Sequence, residues 1–348
     1  MLMNTSVFFA LAAAALFGAS TPLAKLLVGE MSPLLLGGLL YLGSGVGLGL
    51  MRLTRDRAWR MSGLHPSEWP WLLGAIFFGG VLGPVALMYG LTSVSGSTAS
   101  LMLNLESVLT ALLAWVVFKE NADRRIVLGM VAIVGGGLVL SWQPVSNSPS
   151  SVLGLGSIAL ACLCWAIDNN LTRKVSASDS VFIASTKGLI SGLVNCSLAL
   201  FLGASMPGDT VVLATMVIGL LGYGLSLVLF VLALRGLGTA RTGAYFSTAP
   251  FLGSAVSLLL LQESAGPTFW IASALMGLGV WLHLTESHVH EHTHDPIEHS
   301  HGHIHDEHHQ HEHEVEWDGK EPHEHKHRHV QLTHKHPHYP DVHHQHAH

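Results

Sequence analysis

The chain has 348 residues, of which 49% are hydrophobic and only 11% are charged. A soluble globular domain carries about 25% charged residues, so this composition excludes an ordinary soluble fold and favours a chain that lies mostly in a lipid bilayer. The net charge of −6 is unevenly divided: from Glu286 onward, 13 acidic and 4 basic residues give −9, and the other 10 acidic and 13 basic residues give +3.

Apolar stretches of 18–24 residues follow one another through the chain, separated by short polar or Gly/Pro breaks. A helix rising about 1.5 Å per residue crosses the roughly 30 Å hydrocarbon core in about 20 residues. The first stretch lacks the basic leading region of a signal peptide, so it is interpreted as a spanning helix. The sequence therefore predicts an all-α integral membrane protein with ten transmembrane helices. The predicted spans are 7–28, 34–53, 69–89, 97–118, 125–142, 152–171, 181–203, 211–234, 242–261 and 267–285.

Basic residues fall almost entirely in alternate connections, which predicts the orientation because cytoplasmic loops carry the excess of Lys and Arg. The opposite connections carry none except Lys25, near the end of the first helix. Both termini are therefore predicted to lie in the cytoplasm, with the body in a bacterial-type plasma (inner) membrane. The eleven basic residues on the cytoplasmic side are Arg52, Arg55, Arg57, Arg60, Lys119, Arg124, Arg125, Arg173, Lys174, Arg235 and Arg241.

The chain contains an internal repeat. A shift of 143 residues places Leu109–Glu120 on Leu252–Glu263, and in both copies an apolar helix ends in Glu and is followed by a glycine-bearing helix. Each half would hold five helices, and because five is odd the second half enters the membrane in the opposite sense. This inverted arrangement is typical of secondary transporters, whose substrate site lies near the midplane between the halves.

These paired motifs, ending at Glu120 and Glu263, resemble the drug/metabolite transporter superfamily of the EamA type. The resemblance implies a ten-helix secondary carrier, often an exporter of metabolites, amino acids or toxic compounds. Because no catalytic triad, cofactor-binding loop or buried metal site is recognisable in the sequence, neither an enzyme activity nor a required cofactor is expected. The resemblance divides the chain into a first repeat (1–145), a second repeat (146–286) and a disordered tail (287–348). Family members commonly have proline early in the repeated helix; the second copy has Pro250, whereas the first has Glu106 nearby.

Polar residues within the apolar stretches are candidates for a substrate or ion pathway, because charge in the bilayer core is costly. Glu106 lies near the centre of the fourth stretch, with Asn104 about 200° away on a helix. Lys187 begins a polar stripe at i, i+4 and i+8 in the seventh stretch. The candidate pathway residues are Glu106, Lys187, Ser191, Asn195, Asp168, Asn104 and Tyr245.

The leading hypothesis is that Glu106 and Lys187 line a central cavity. Glu106 would bind a cationic group or carry a coupling proton, and Lys187 would hold an anionic group or act as a counter-ion. The alternatives are a structural ion pair between these two residues and a pair between Lys187 and Asp168.

The tail from His288 contains 23 histidines in 61 residues, interleaved with Asp and Glu. In an extended chain residues i and i+2 share a face, and neutral imidazole suits zinc, nickel and cobalt. The sequence predicts a disordered, multi-site metal-binding segment; the alternative is a solvated tail that changes charge near pH 6.5. The expected metal ligands are His288, His290, His292, His294, His299, His301, His303, His305, His334, His336, His338, His343 and His344.

Three functions remain open. The first is an exporter of a small organic solute with a cytoplasmic metal-binding tail, the second a divalent nickel, cobalt or zinc transporter or efflux carrier fed by the tail, and the third a membrane-anchored metal store or sensor. The expected partners are the lipid bilayer, a small-molecule or ion substrate and a coupling proton, but no nucleic acid. The sequence does not define the oligomeric state.

Overall fold

The computed structural model describes residues 5–56, 64–118, 124–141, 149–175, 179–230, 232–233, 242, 245–284, 288–294, 298–303, 323–328 and 332–338. The chain forms two compact units, Met1–Glu286 and Ser287–His348.

In its described part the first unit consists of helices joined by short connections. Seven helices are long and apolar enough to cross a membrane, and three shorter apolar helices complete the series of ten predicted stretches. The α-helices are α1 Thr5–Leu27, α2 Pro33–Asp56, α3 Trp69–Ala75, α4 Gly83–Ser93, α5 Gly96–Met102, α6 Leu105–Phe118, α7 Arg124–Ser141, α8 Pro149–Arg173, α9 Ser180–Phe201, α10 Asp209–Gly219, α11 Ala249–Leu260 and α12 Pro267–Leu284. The predicted all-helical membrane fold is confirmed.

Two of the crossing segments contain a π-helical stretch. The first, Ile76–Leu82, joins α3 to α4; a 3₁₀ turn at Pro66–Glu68 precedes α3. The second, Leu220–Leu225, follows α10 and continues into helical residues 226–230. A shift of 143 residues places 76–82 on 219–225, so the second π-helix lies at the repeat-equivalent position. The internal duplication is thus visible in the backbone as well as in the sequence.

The predicted continuous helices 97–118 and 242–261 are both interrupted. The first breaks into α5 and α6 at a turn over Leu103 and Asn104, and α11 begins at Ala249 after a turn over residues 247–248. These turns are again about 143 residues apart. In the second copy Pro250, at the start of α11, lacks the N–H that a continuous helix needs. In the first, Asn104 Nδ2 donates to Leu101 O at 2.9 Å, a local bond that competes with the helix ladder.

Small residues allow the helices to approach closely. At the crossing of α2 and α9, a Cβ on Gly188 would lie 2.5 Å from the backbone nitrogen of Gly45, so both glycines are needed for the backbones to touch. Large apolar side chains such as Val116, Leu153 and Leu259 are instead exposed on the outside of the bundle. That distribution suits a body whose outer face meets lipid.

The described part of the second unit consists of four strands: β1 His288–His294, β2 Glu298–His303, β3 His323–Arg328 and β4 Leu332–His338. Strand β1 pairs antiparallel with β4, and β2 pairs antiparallel with β3. Composition predicts a disordered tail; in its described part the tail has paired strands, because its period-two alternation is also that of a β-strand. His305, His343 and His344 lie outside the described residues.

Candidate functional site

A cavity of about 460 Å³ lies inside the helical body. Its walls come from α1, the break between α5 and α6, α6, α8 and the start of α11. The lining residues are Phe17, Leu103, Asn104, Glu106, Ser107, Thr110, Ala111, Asn169, Asn170, Phe230, Phe246, Ser247, Ala249 and Pro250. Both repeats contribute to this set, as expected for a site between inverted halves.

Among the described residues of the lining Glu106 is the only acidic one, and it lies in the first turn of α6. Asn169 of α8 donates from Nδ2 to Glu106 Oε1 at 2.8 Å and also lies 3.4 Å from the hydroxyl of Thr110. The side chain of Asn170 instead donates from Nδ2 to the backbone carbonyl of Ala166 at 2.8 Å. The Asn169 bond orients one carboxylate oxygen of Glu106 within the cavity.

Asn104 and Glu106 line the same cavity, although continuous helical geometry predicts that they lie about 200° apart. The prediction is wrong because the helix turns at 103–104, so the two side chains are not spaced by regular helical geometry. Asn104 also lies 3.9 Å from the sulfur of Met276, which places it against α12.

Aromatic rings form the apolar part of the cavity. The ring centroid of Phe246 lies 5.4 Å from that of Phe17 and 4.9 Å from that of Phe230. Phe17 comes from α1, and the other two rings come from the second repeat. The cavity therefore combines a single carboxylate with a cluster of aromatic faces, a pairing that favours a ligand with positive charge and apolar surface.

Lys187 and Asp168 form a close ion pair outside the cavity lining. Lys187 Nζ lies 2.6 Å from both carboxylate oxygens of Asp168, and the hydroxyl of Thr172 donates to Asp168 Oδ1 at 2.8 Å. Of the alternatives left open by the sequence, the structure selects the pair between Lys187 and Asp168. The charge of Lys187 is thereby matched by a neighbouring helix instead of being presented to the cavity with Glu106.

The rest of the polar stripe on α9 faces the first π-helix. Asn195 Nδ2 lies 3.3 Å from the carbonyl oxygens of Gly80 and Val81, and a Cβ on Gly80 would lie 1.9 Å from Ser191 Oγ. A π-helix shifts the regular i→i−4 pattern and leaves carbonyls that need other donors. Ser191 and Asn195 are therefore packing and bonding partners of this stretch and do not line the cavity.

A second group of donors serves the same π-helix. The Tyr41 hydroxyl and the Trp165 indole N–H both donate to the carbonyl of Gly79, at 2.8 and 2.9 Å. Tyr245 is likewise absent from the cavity lining; its carbonyl accepts a hydrogen bond from the hydroxyl of Thr248 at 2.6 Å. The neighbouring Phe246 and Ser247 line the cavity instead.

The aromatic residues Phe17, Phe230 and Phe246 are the main part of the site that sequence reasoning missed. Aromatic residues are common in membrane helices, so nothing in their spacing distinguishes these three from lipid-facing rings. Asn169 could have been recognised as a polar residue within a spanning stretch, since it follows Asp168 directly. Its bond to Glu106 could not, because the two residues lie on different helices and are 63 positions apart in sequence.

No group of three or more His, Cys, Asp or Glu side chains suited to a metal ion occurs in the described part of the helical unit. Cys162 and Cys164 are buried, and the Cys162 thiol contacts the carbonyl of Met102 at 3.6 Å. Both residues are therefore packing elements of α8.

Two charged residues hold the connection between α4 and α5. Lys25 at the end of α1 donates to the carbonyls of Leu91 and Val94, the latter at 2.9 Å. Glu263, after α11, accepts from the amides of Gly96 and Ser97 at the start of α5, at 2.7 and 2.9 Å. We call this set the Lys25–Glu263 cluster. It joins the two repeats at the ends of their helices, away from Glu106.

The fold and this cavity define a polytopic membrane transporter built from two repeats, both of which contribute to the cavity lining. The chain belongs to the EamA-like transporter family, which it matches twice, over residues 4–142 and 152–285. The double match confirms the repeat and the predicted family. It also confirms that the protein is a transporter rather than an enzyme.

Curated relatives are themselves transporters without an assigned substrate. The chain is 25% identical over 282 residues to an uncharacterized transporter of Methanothermobacter thermautotrophicus, covering 76% of this chain and 82% of that one. It is 24% identical over 270 residues to the uncharacterized transporter YyaM of Bacillus subtilis, covering 74% and 84%. A solved crystal structure shares the fold, with a TM-score of 0.61 and 18% identity over 80% of this chain and 95% of the other.

Proposed function

We propose that this EamA-type transporter exports a small organic cation, which binds in the cavity beside Glu106. The observation that carries the proposal is the lining itself: one carboxylate, several amide and hydroxyl groups, and the three rings of Phe17, Phe230 and Phe246. Among the described residues that line it there is no Lys, Arg or His. An anion would meet no positive partner there, whereas a cation finds a carboxylate and aromatic faces.

Glu106 is also the group that we expect to carry the coupling proton. A carboxylate half-buried among apolar side chains is costly when it has neither a proton nor a cation. Proton and organic cation would therefore compete for the same side chain, so that binding one releases the other. This exchange couples export of the cation to proton entry without a second acidic residue in the cavity.

The Lys25–Glu263 cluster is proposed to take part in the conformational change that opens the cavity to one side of the membrane or the other. If both termini lie in the cytoplasm of a bacterial-type plasma membrane, as the Lys and Arg distribution predicts, the connection between α4 and α5 lies on the extracytoplasmic side. The cluster would then close that side in the conformation described, and release of the cation outward would require its bonds to break.

The test is tetraphenylphosphonium binding and transport by the purified protein. Intact protein in proteoliposomes with an acidic interior is expected to accumulate labelled tetraphenylphosphonium in exchange for protons that leave the vesicle, with an affinity that weakens as the pH falls. Glu106→Gln keeps the size of the side chain but can neither ionise nor bind a proton in this way. It should abolish coupled transport and remove the pH dependence of binding.

Glu68→Gln is the matched control, because Glu68 is only partly buried in the 3₁₀ turn before α3 and does not line the cavity. It should leave transport and its pH dependence unchanged. Benzoate tests the charge preference and should neither compete nor be transported. Retained pH-dependent transport in a folded Glu106→Gln protein, or equal competition by benzoate, would contradict the proposal.

A divalent transition-metal ion is the second candidate substrate, and the histidine-rich tail is the observation that favours it. The cavity offers such an ion one carboxylate and neutral oxygen ligands, and nickel, cobalt and zinc prefer imidazole or thiolate. A membrane-anchored metal store or sensor is favoured less than a metal carrier, because a single helix would be enough to anchor such a protein. Loss of zinc, nickel or cobalt transport on Glu106→Gln, with no effect on tetraphenylphosphonium, would favour the metal carrier.

A further inference from the structure

The paired strands of the tail place histidines opposite one another. In the ladder of β1 and β4, His288, His290 and His292 oppose His338, His336 and His334. In the ladder of β2 and β3, His299, His301 and His303 oppose His327, His325 and His323. Each ladder therefore carries three directly opposed histidine pairs, and the alternation of a strand puts the three pairs of a ladder on one face.

The intervening positions identify this register independently of histidine. Glu291 opposes Lys335 in one ladder, and Glu298 opposes Arg328 in the other. Opposite charges at directly opposed positions stabilise a strand pair. In the ladder of β1 and β4, a slip of two residues would keep histidines on one face but would place Glu291 opposite Thr333 or Pro337 instead of Lys335. In every opposed pair of both ladders the two residue numbers add up to 626. A constant sum means that the two ladders share one register, as the two arms of a single long hairpin would.

The ladders contain few residues that could hold the strands together by apolar burial. Apart from Val289, Pro337 and Leu332, the strand positions are His, charged residues, Thr, Ser and Gly. An isolated two-stranded hairpin is marginally stable in water even with an apolar face. A ligand that bridges the strands would supply the stabilisation that this composition lacks.

We propose that the tail binds transition-metal ions, with zinc as the reference ion, between its paired strands at the opposed histidine positions of β1–β4 and β2–β3. Residues directly opposed on antiparallel strands have Cβ atoms about 4.5–5.5 Å apart, a spacing from which two imidazoles can bind one ion. Each site takes ligands from segments that are 20–50 residues apart, as His303 with His323 and His288 with His338. Metal binding and strand pairing are then one process.

This arrangement differs from a chain of independent local sites. If each His-x-His triplet bound metal alone, loss of His336 would leave the sites of β1 intact. If the ion is held across the ladder, His290 and His336 act as one unit, and removing either has nearly the effect of removing both. The inference does not depend on which solute the membrane body carries.

Strand pairing can be measured without altering any histidine, because Thr293 opposes Thr333. The full-length protein, purified in detergent with its three cysteines replaced by alanine, would carry nitroxide spin labels at Thr293→Cys and Thr333→Cys. We expect strong dipolar broadening of the spectrum with zinc and its loss with EDTA. The matched control is Thr293→Cys with Pro337→Cys, which is displaced by four residues, or about 13 Å along the strand, and should broaden much less.

Histidine substitutions then assign the ligands. His290→Asn, His336→Asn and the double variant should lose zinc-dependent broadening to the same extent. His343→Asn with His344→Asn removes two histidines outside the described strands and should retain it. Broadening that is the same with zinc and EDTA, or equal in the two label pairs, would overturn the proposal, as would additive losses in the His290 and His336 variants.

Discussion

Glu263 caps a helix of the opposite repeat: its carboxylate accepts hydrogen bonds from the backbone amides of Gly96 and Ser97, at 2.7 and 2.9 Å. Across the same short connection, Lys25 binds the terminal carbonyls of α4. A negative charge at the amide end of one helix and a positive charge at the carbonyl end of the other are each favoured by the helix dipole. Two charges from different repeats thus hold one helix connection.

We expect Glu263→Gln to open this side of the protein. A charge at a helix terminus contributes about 1 kcal/mol and up to about 2 kcal/mol when partly buried, which corresponds to a five- to thirtyfold shift in a two-state equilibrium. Ser257 is fully buried next to Gly96, so the labelling rate of a cysteine at this position measures the opening. In a background without native cysteines, a membrane-impermeant maleimide added outside should label Ser257→Cys several times faster when Glu263 is replaced.

Glu30→Gln is the control for this measurement. Glu30 is an exposed carboxylate in the connection between α1 and α2, on the same side of the bundle as Glu263 by the predicted topology. Its replacement removes the same charge without touching α5, so labelling of Ser257→Cys should not change. An equal rate in the Glu263 and Glu30 variants would show that the cluster does not restrain this side.

The repeat predicts an opposite effect for Glu120. Glu120 lies outside the described residues, but the 143-residue shift relates it to Glu263, and relates Gly96 and Ser97 to residues 239 and 240. When the transporter is closed on the cytoplasmic side, Glu120 should therefore cap the amides of 239–240. Glu120→Gln would weaken only that conformation and should slow external labelling of Ser257→Cys, whereas Glu263→Gln should accelerate it. Acceleration by both variants would exclude this symmetric arrangement.

The ion pair of Lys187 and Asp168 is expected to stabilise the fold rather than contact the solute. Removing one partner of a buried pair costs about 3–5 kcal/mol, whereas replacing both partners by neutral residues is often tolerated. Lys187→Met should therefore lower the apparent Tm in detergent strongly, and Lys187→Met with Asp168→Asn should restore much of it. The restored double variant should transport tetraphenylphosphonium. A stable double variant without transport would instead give Lys187 a direct role.

Local sequence pattern predicted most of the helical body, because a spanning helix needs only enough consecutive apolar residues, and the short connections carry the orientation signal. The repeat could be recognised for the same reason: Glu120 and Glu263 end equivalent apolar runs. Glu106 could be singled out because a carboxylate in such a run is costly. The role of Glu263 could not, since it depends on amides about 167 positions earlier in the chain.

Where sequence reasoning predicted the geometry of the candidate residues wrongly, the cause is a break in helical regularity. Asn104 joins Glu106 in the cavity only because the helix turns between α5 and α6. Asn195 meets backbone carbonyls because a π-helix leaves them without their usual donors. Such breaks are small differences between local hydrogen-bond patterns, and tertiary packing decides between them.

Gly80 should be sensitive to the smallest substitution. A Cβ at this position would lie 1.9 Å from Ser191 Oγ and 2.8 Å from Ser191 Cβ. Rotation of the hydroxyl relieves only the first of these contacts, so Gly80→Ala forces the π-helix and α9 apart. Overpacking of this kind typically costs about 1–3 kcal/mol, and the apparent Tm in detergent should fall accordingly. Gly156→Ala is the matched control, because a Cβ there meets no atom within 4 Å, and it should leave the Tm unchanged or slightly higher. Equal Tm values for the two variants would contradict the packing argument.

Phe246 tests whether the cavity recognises charge through its aromatic faces. It contacts both Phe17 and Phe230, so Phe246→Leu removes the central ring while keeping an apolar side chain of moderate size. A cation over a desolvated ring gains about 1–2 kcal/mol, so the Kd for tetraphenylphosphonium should rise about five- to thirtyfold. Phe8→Leu replaces a ring that is 53% exposed on α1 and should leave the Kd unchanged. Because leucine retains apolar contact, an unchanged Kd in Phe246→Leu would mean that apolar burial, not the ring, provides the affinity.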